Sequence, residues 1–234
     1  MRMDFEIYLW PGYAAEDILR LEDMAHIDMA VVMPQIQEVC DNEGLARAIA
    51  GHDRLIGCVC PNPNYGSQAL AELRRGIKEW GLRGLKLMAM RQHYFIDSAV
   101  VDPLMREARE LGIPATIHSG GSPCHPAAIG NLAGRYPEVS IIMDHGGYPG
   151  FTEEGIQAAR AHPNIYLGTT RMAFEPEFVR MAVNALGPER VVFGSNGPSI
   201  WPDLALESIH RLGLGDEAER LIFGENLARI YGIK

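Results

Sequence analysis

Two histidines carry the first chemical signal. His118 closes the run PATIHS before Gly-Gly, and His145 closes SIIMDH before Gly-Gly. Neutral imidazole is a common metal ligand and, near neutral pH, a ready acid or base. A single histidine ending an apolar run is usually a hydrogen-bonded core residue. Two that end consecutive runs, each beside a glycine turn, point to a shared site. Other apolar runs also end in or carry polar groups. Glu6 and Tyr8 lie two apart in MDFEIYL, Lys86 lies in GLKLM, Thr169, Thr170 and Arg171 follow IYLG, and Ser195 and Asn196 follow VVFG. Burying such groups costs several kcal/mol unless they are paired or metal-bound, so their convergence is better explained by a site than by chance.

The cations suggest what such a site would receive. Arg171 and Arg91, in segments that follow apolar runs, could grip a carboxylate in two-pronged fashion. Lys86 could bind an anion, become a carboxylated metal bridge, or pair with a buried carboxylate such as Glu6. His93 and His125 fall in loops where they could touch substrate. His26, His52, His162 and His210 fall on expected helices or at their ends and read as surface or helix-terminus residues.

The elements that must position these residues follow from periodicity. Eight short apolar runs begin near Asp4, Met29, Leu55, Gly84, Pro114, Ser140, Ile165 and Val191, between 25 and 30 residues apart. That interval fits one strand, one helix and two loops. Runs such as MAVVMP lack alternation, as strands covered on both faces do. Between the runs, Leu70, Leu73, Ile77 and Trp80 share one helical face. Asp102-Pro103 starts another helix that Leu111-Gly112 ends, and a third spans Pro176 to Leu186. Residues 216–231 read as two short helices broken at Phe223-Gly224. Eight βα units with no GxGxxG after the first strand predict an α/β fold, a single-domain (β/α)8 TIM barrel over residues 1–234.

Composition narrows the function. The 234 residues are 47% apolar and carry a net charge of −9, with no basic cluster longer than Arg74-Arg75. Nucleic acid is therefore not an expected partner. No apolar run approaches a membrane span, and no secretory leader is evident. Four cysteines without a paired pattern read as buried reduced thiols. These features lead to the expectation of a cytoplasmic protein.

Six blocks add a resemblance: RGLKLM (83–88), LGIPATIHSGG (111–121), GRYPEVSIIMDHGG (134–147), HPNIYLGTT (162–170), GPERVVFGSNGP (187–198) and FGENLARIYGI (223–233). With these blocks the chain resembles the amidohydrolase-related family that includes aminocarboxymuconate-semialdehyde decarboxylase and related metal-dependent hydrolases. The resemblance implies a (β/α)8 barrel with one divalent metal at its rim. It also implies hydrolysis of lactones and related bonds, or decarboxylation of small unsaturated or aromatic acids. His118 matches the metal histidine of the fifth strand and His145 the histidine of the sixth. Where the family carries His-x-His on its first strand, this chain has Glu6-Ile7-Tyr8; a branch resembling resorcylate decarboxylase has Glu at the first position. Where the family carries Asp on the eighth strand, this chain has Asn196, an amide that cannot act as a base.

The resulting expectation is an enzyme acting on a small carboxylated molecule. Glu6 and His118 hold a divalent metal, zinc first and manganese second. His145 acts as acid or base, with Tyr8 and Asn196 completing the catalytic set, and Lys86, Arg171 and His93 contact the substrate. A homodimer would suit the family. The alternative is a barrel that has lost its metal, serving as a binding protein or working by acid–base chemistry through His118, His145 and Tyr8.

Overall fold

Alternation along each strand sets two faces. In the computed structural model, which describes residues 1–147, 150–171 and 174–233, the first strand is β1, Met3–Leu9. It is followed by α1 (Ala15–Met24), β2 (Met29–Pro34), α2 (Asn42–Ile49) and β3 (Leu55–Val59). Next come α3 (Ser67–Lys78), β4 (Gly84–Leu87), the short α4 (Ala89–Gln92), α5 (Asp102–Leu111) and β5 (Ala115–His118). The chain continues through α6 (Pro126–Arg135), β6 (Ile141–Asp144), α7 (Thr152–Ala161), β7 (Ile165–Gly168), α8 (Glu177–Leu186) and β8 (Val191–Val192). It closes with α9 (Pro202–His210), α10 (Asp216–Arg220) and α11 (Asn226–Tyr231).

All described strands are parallel and pair in sequence order, β1 to β8. The seam closes through main-chain bonds. Phe5 N donates to Phe193 O at 3.0 Å, Asn196 N to Glu6 O at 3.0 Å, and Tyr8 N to Gly197 O at 2.8 Å. The fold is the single-domain TIM barrel that the eight regular runs predict. Several ladders end short of the apolar runs: LIGCVC at Val59, GLKLM at Leu87, PATIHS at His118, SIIMDH at Asp144, IYLGTT at Gly168 and VVFGSN at Val192.

One face of each strand packs outward against helices. Ala30 and Val32, Leu85 and Leu87, Ala115 and Ile117, and Ile141 and Met143 belong to that larger cluster. Val31, Met33, Ile56, Cys58 and Ile142 belong to a second cluster with Met3 and Phe5. The alternate positions on β4, β5 and β6 are Lys86, Thr116 and His118, and Asp144, so strand period two delivers polar groups to one interior. Gly168 and Gly194 leave room for the Phe5 ring, which a Cβ at either position would meet.

The C-terminal segment differs from expectation. A π-helical turn over Leu221–Glu225 joins α10 to α11 without a break. Gly224 is there because the Met1 carbonyl lies against its Cα, where a Cβ would collide. Leu227, Ala228 and Tyr231 pack into the Met3–Phe5 cluster, and Tyr231 meets the Cys58 thiol at 3.5 Å. All four cysteines are free and buried. Among the described residues, no helix is long and apolar enough to cross a membrane.

Candidate active site

The polar groups occupy two levels. The lower level is a buried charge cluster. Lys86 Nζ, fully buried, donates to Glu6 Oε2 at 2.9 Å and to Asp144 Oδ2 at 3.0 Å, and both carboxylates are fully buried too. Tyr8 donates its hydroxyl to Glu6 Oε1, and Thr170 donates its hydroxyl to Asp144 Oδ1. Two carboxylates therefore share one ammonium. Burial, reinforced by the Asp144 charge and only partly opposed by Lys86, pushes Glu6 up to about 8. Burial and the Glu6 carboxylate push the Tyr8 phenol well above its ordinary value, so it stays a neutral donor. Lys86 is raised despite its burial, because Asp144 and Glu6 favour its charge.

Above this cluster lie the histidines. His145 Nδ1 is 3.1 Å from Asp144 Oδ1, and His145 Nε2 is 3.1 Å from His118 Nδ1. Burial opposes ionisation of Asp144, but the facing imidazoles and Lys86 outweigh it and hold that carboxyl well below the usual range. The Thr170 carbonyl, 3.4 Å from His145 Nδ1, and the ionised Asp144 carboxylate both only accept, so the His145 proton sits on Nδ1 and leaves the Nε2 lone pair toward His118. Burial, partly offset by Asp144, pushes His145 down to about 3, which keeps the imidazole neutral. The Thr170 hydroxyl also accepts from His145 N at 2.9 Å, and Ser119 donates its hydroxyl to the Asp144 carbonyl while accepting from Gly147 N at 3.0 Å. These bonds fix the turn after β6.

The rim backbone is strained where the chemistry lies. His145, Arg171 and Asn196 follow β6, β7 and β8 with φ of 62°, 63° and 64°. Left-handed conformations are costly for residues other than glycine and cluster at functional sites. A cavity of about 560 Å³ opens here, with Tyr8, His118, His145, Arg171 and Asn196 in its wall.

The structure thus gathers most of the expected residues, with three corrections. Lys86 is not among the residues of the cavity wall; its ammonium pairs with Glu6 and Asp144 beneath it. His93 is exposed, caps α4 in a left-handed conformation, and is not in the cavity wall, where Arg91 stands instead. Glu6 is not among the described residues that come together with His118 as a possible cation group; its oxygens accept from Lys86 and Tyr8, as those of Asp144 do from Lys86 and Thr170. The described residues able to surround a cation are His118, Asp144 and His145, whose ligand atoms lie within 4.8 Å of one another. Asp144 is the residue that sequence reasoning left out of the site. Its signal was its place at the end of β6, directly before His145.

Two imidazoles and a carboxylate make a sound donor set for a divalent ion. Beneath them two buried carboxyls, Glu6 and Asp144, share the one Lys86 ammonium, so added positive charge is favoured there. The group therefore fits a metal.

The family profile described as Amidohydrolase matches residues 11–233. The chain belongs to the amidohydrolase family. A curated relative, the L-fucono-1,5-lactonase of Burkholderia ambifaria, is 25% identical over 194 residues, covering 70% of this chain and 65% of that protein. This amidohydrolase thus matches just under two thirds of that relative's length. Among solved structures, an uncharacterised TIM-barrel protein from Bordetella bronchiseptica aligns with a TM-score of 0.85 at 18% identity, over 99% of this chain and 98% of the other. A dihydroxybenzoic acid decarboxylase from Polaromonas sp. JS666, with bound manganese and an inhibitor, aligns with a TM-score of 0.76 at 16% identity, over 99% and 96%. At such identities these structures share the fold of this amidohydrolase.

Proposed function

We propose that this amidohydrolase is a metal-dependent hydrolase acting on a small carboxylated substrate, a lactone or a similar compound. The observation that carries the reading is the His118–His145 contact over Asp144 at the floor of a cavity that Arg171 also lines. His118 and Asp144 would hold the cation, zinc by the character of the donors and manganese as the second candidate. Such an ion supplies Lewis acidity that polarises the carbonyl to be attacked. The residues of the chain do the rest. His145, neutral and with its Nε2 lone pair facing His118, takes a proton as base. Asp144 keeps the imidazole in that tautomer. Arg171 attracts the substrate carboxylate.

Decarboxylation of an unsaturated or aromatic acid is the second reading. Asn196 favours it, because an amide on the rim cannot accept a proton from water, and loss of CO₂ needs no such transfer.

The experiment combines metal analysis with a substrate panel. Protein purified without chelator is expected to carry about one zinc or manganese per chain, lost in His118→Ala. Lactones and aromatic acids are then incubated with and without each metal. Ring-opened acid supports hydrolysis and released CO₂ the second reading. A folded protein that binds no metal and turns over no member of the panel overturns both, leaving the barrel without metal chemistry.

A further inference from the structure

The cavity wall is divided by chemistry. Its arc from β5 to β8 presents polar side chains and glycines: His118, Ser119, His145, Arg171, Asn196 and Ser199. The large apolar side chains that line it all lie on the opposite arc: Trp10 after β1, Ile36 after β2, and Met88 and Met90 after β4. Tyr8, also on that arc, has its hydroxyl turned onto Glu6. Gln35 of the same arc accepts from Gln37 at 2.8 Å, and Arg91, exposed like Trp10 and Met90, sets a guanidinium at the edge of this arc.

What stands behind the apolar arc matters as much as its surface. Met88 packs with the buried Cys40 and Cys60, and Ile36 packs against that same cluster. This backing is sulfur and hydrocarbon apart from the buried Gln92 amide, whose Nε2 donates to Cys60 Sγ at 3.9 Å. A hydroxyl pressed against the wall would lose its water and gain at most a weak partner, a loss that sites of this kind use to reject polar ligands. Trp10 and Met90 are 40% and 46% exposed, so apolar area is left open at the mouth. Methionine adapts its shape to what it touches, and tryptophan offers a broad flat face.

From this division we infer that the substrate is amphipathic: its reacting, anionic part faces the β5–β8 arc, and a hydrocarbon body, aryl or branched alkyl, lies on Trp10, Ile36, Met88 and Met90. The inference rests on the proposed activity for the identity of the reacting part, and on the wall alone for the body. It separates this chain from a polyhydroxylated sugar lactone as preferred ligand. The four apolar residues become the specificity determinants, and loss of one contact there changes selection by roughly tenfold or more.

The test uses two ligand series on the metal-loaded full chain. Carboxylates that cannot react, one set alkyl- or aryl-substituted and one polyhydroxylated, are compared by calorimetry. Lactones of equal ring size in the same two classes are compared by kcat/KM. Apolar carboxylates are expected to bind at least tenfold tighter than hydroxylated ones. Trp10→Ser with Met90→Ser, both at partly exposed positions, is expected to close most of that gap with the melting temperature little changed. Equal or tighter binding of the hydroxylated series overturns the inference, as does a gap that survives the double substitution. Apolar carboxylates that bind while no lactone or acid is turned over would sink the proposed activity and leave the inference standing. Turnover that favours sugar lactones would do the reverse.

Discussion

Because the Thr170 carbonyl and Asp144 can only accept, the His145 proton sits on Nδ1 facing them, and the Nε2 end of the ring is fixed before any ligand arrives. His145→Gln keeps a polar side chain but removes the base. It is expected to lower kcat by about 10²- to 10⁴-fold on any substrate the panel identifies, with an unchanged circular dichroism spectrum. Lys86 plays a different part. It is the only cation within hydrogen-bonding distance of two buried carboxylates among the described contacts, so its removal leaves charge without compensation. Lys86→Met is expected to cost about 3–5 kcal/mol in urea unfolding. Adding Glu6→Gln to that variant should change little near neutral pH, where a carboxyl pushed up to about 8 is already mostly protonated, and restore part of the loss only at higher pH. No recovery at high pH would mean that Glu6 holds the fold through packing alone. The sequence identified the residue types at this level but not their depth. Lys86 and His118 both sit on inward strand positions, and only the assembled barrel shows that one is under the floor and the other on it. His93 lies outside the cavity wall for a related reason. A position in a loop after β4 says nothing about direction, and the left-handed cap of α4 leaves that ring in solvent.

At the scale of elements, β1 does three jobs. Its ladder with β2 shifts register between Asp4 and Ile7, so Glu6 and Tyr8 enter the site while Asp4 is turned elsewhere. Asp4 Oδ1 accepts from Glu6 N at 2.9 Å and from Ser195 N at 3.0 Å, tying β1 to the segment after β8. Its other oxygen and both Glu22 oxygens on α1 lack donors from elsewhere. A proton held between the two carboxyls supplies what is missing. Burial pushes Asp4 up to about 6; burial, joined by the Asp4 charge and opposed by Arg54, raises Glu22 well above its ordinary value. A carboxyl whose pKa is raised by folding favours the folded state below its unfolded value, about 4.3 for Glu. That advantage is lost as pH climbs through the folded value. Glu22→Gln should therefore gain melting temperature over the natural chain, by an amount that grows as pH rises from about 5 to 8. A constant difference across that range would count against the shared proton. None of this was legible from β1 alone, which reads as an alternating strand. The strand spacing was legible, because covered parallel strands need apolar runs and the crossover helices have nearly equal length. The C-terminal helices were misread because Gly224 looks like a breaker. Its real role is to let the Met1 carbonyl approach.

At the scale of the molecule, the barrel has a reactive end and a sealed end. The seam between β8 and β1 supports the first, since the main-chain bonds from Phe5 to Gly197 carry Asn196 into the cavity wall. The Leu227–Tyr231 stretch builds the second by packing among Met3, Phe5 and Cys58. Tyr231→Ala is expected to lower stability by on the order of 3 kcal/mol, as buried aromatic truncations do, measured by chemical denaturation. The site lies at the far end of the barrel, so turnover at a temperature where the variant is folded should be little affected. The eight-unit count and the inward polar residues were enough to foresee one mouth. The chemical division of that mouth was not, because Trp10, Ile36, Met88 and Met90 come from three separate loops, and only closure of the barrel sets them side by side.

The plug beneath the barrel also orders events in time. Every strand leaves the ribosome before Leu227 and Tyr231 do, so the side chains that pack against Met3, Phe5 and Cys58 are made last. A premature stop codon or a protease cut just before Leu227 would spare every residue of the cavity wall and still remove the side chains on which the first strand settles.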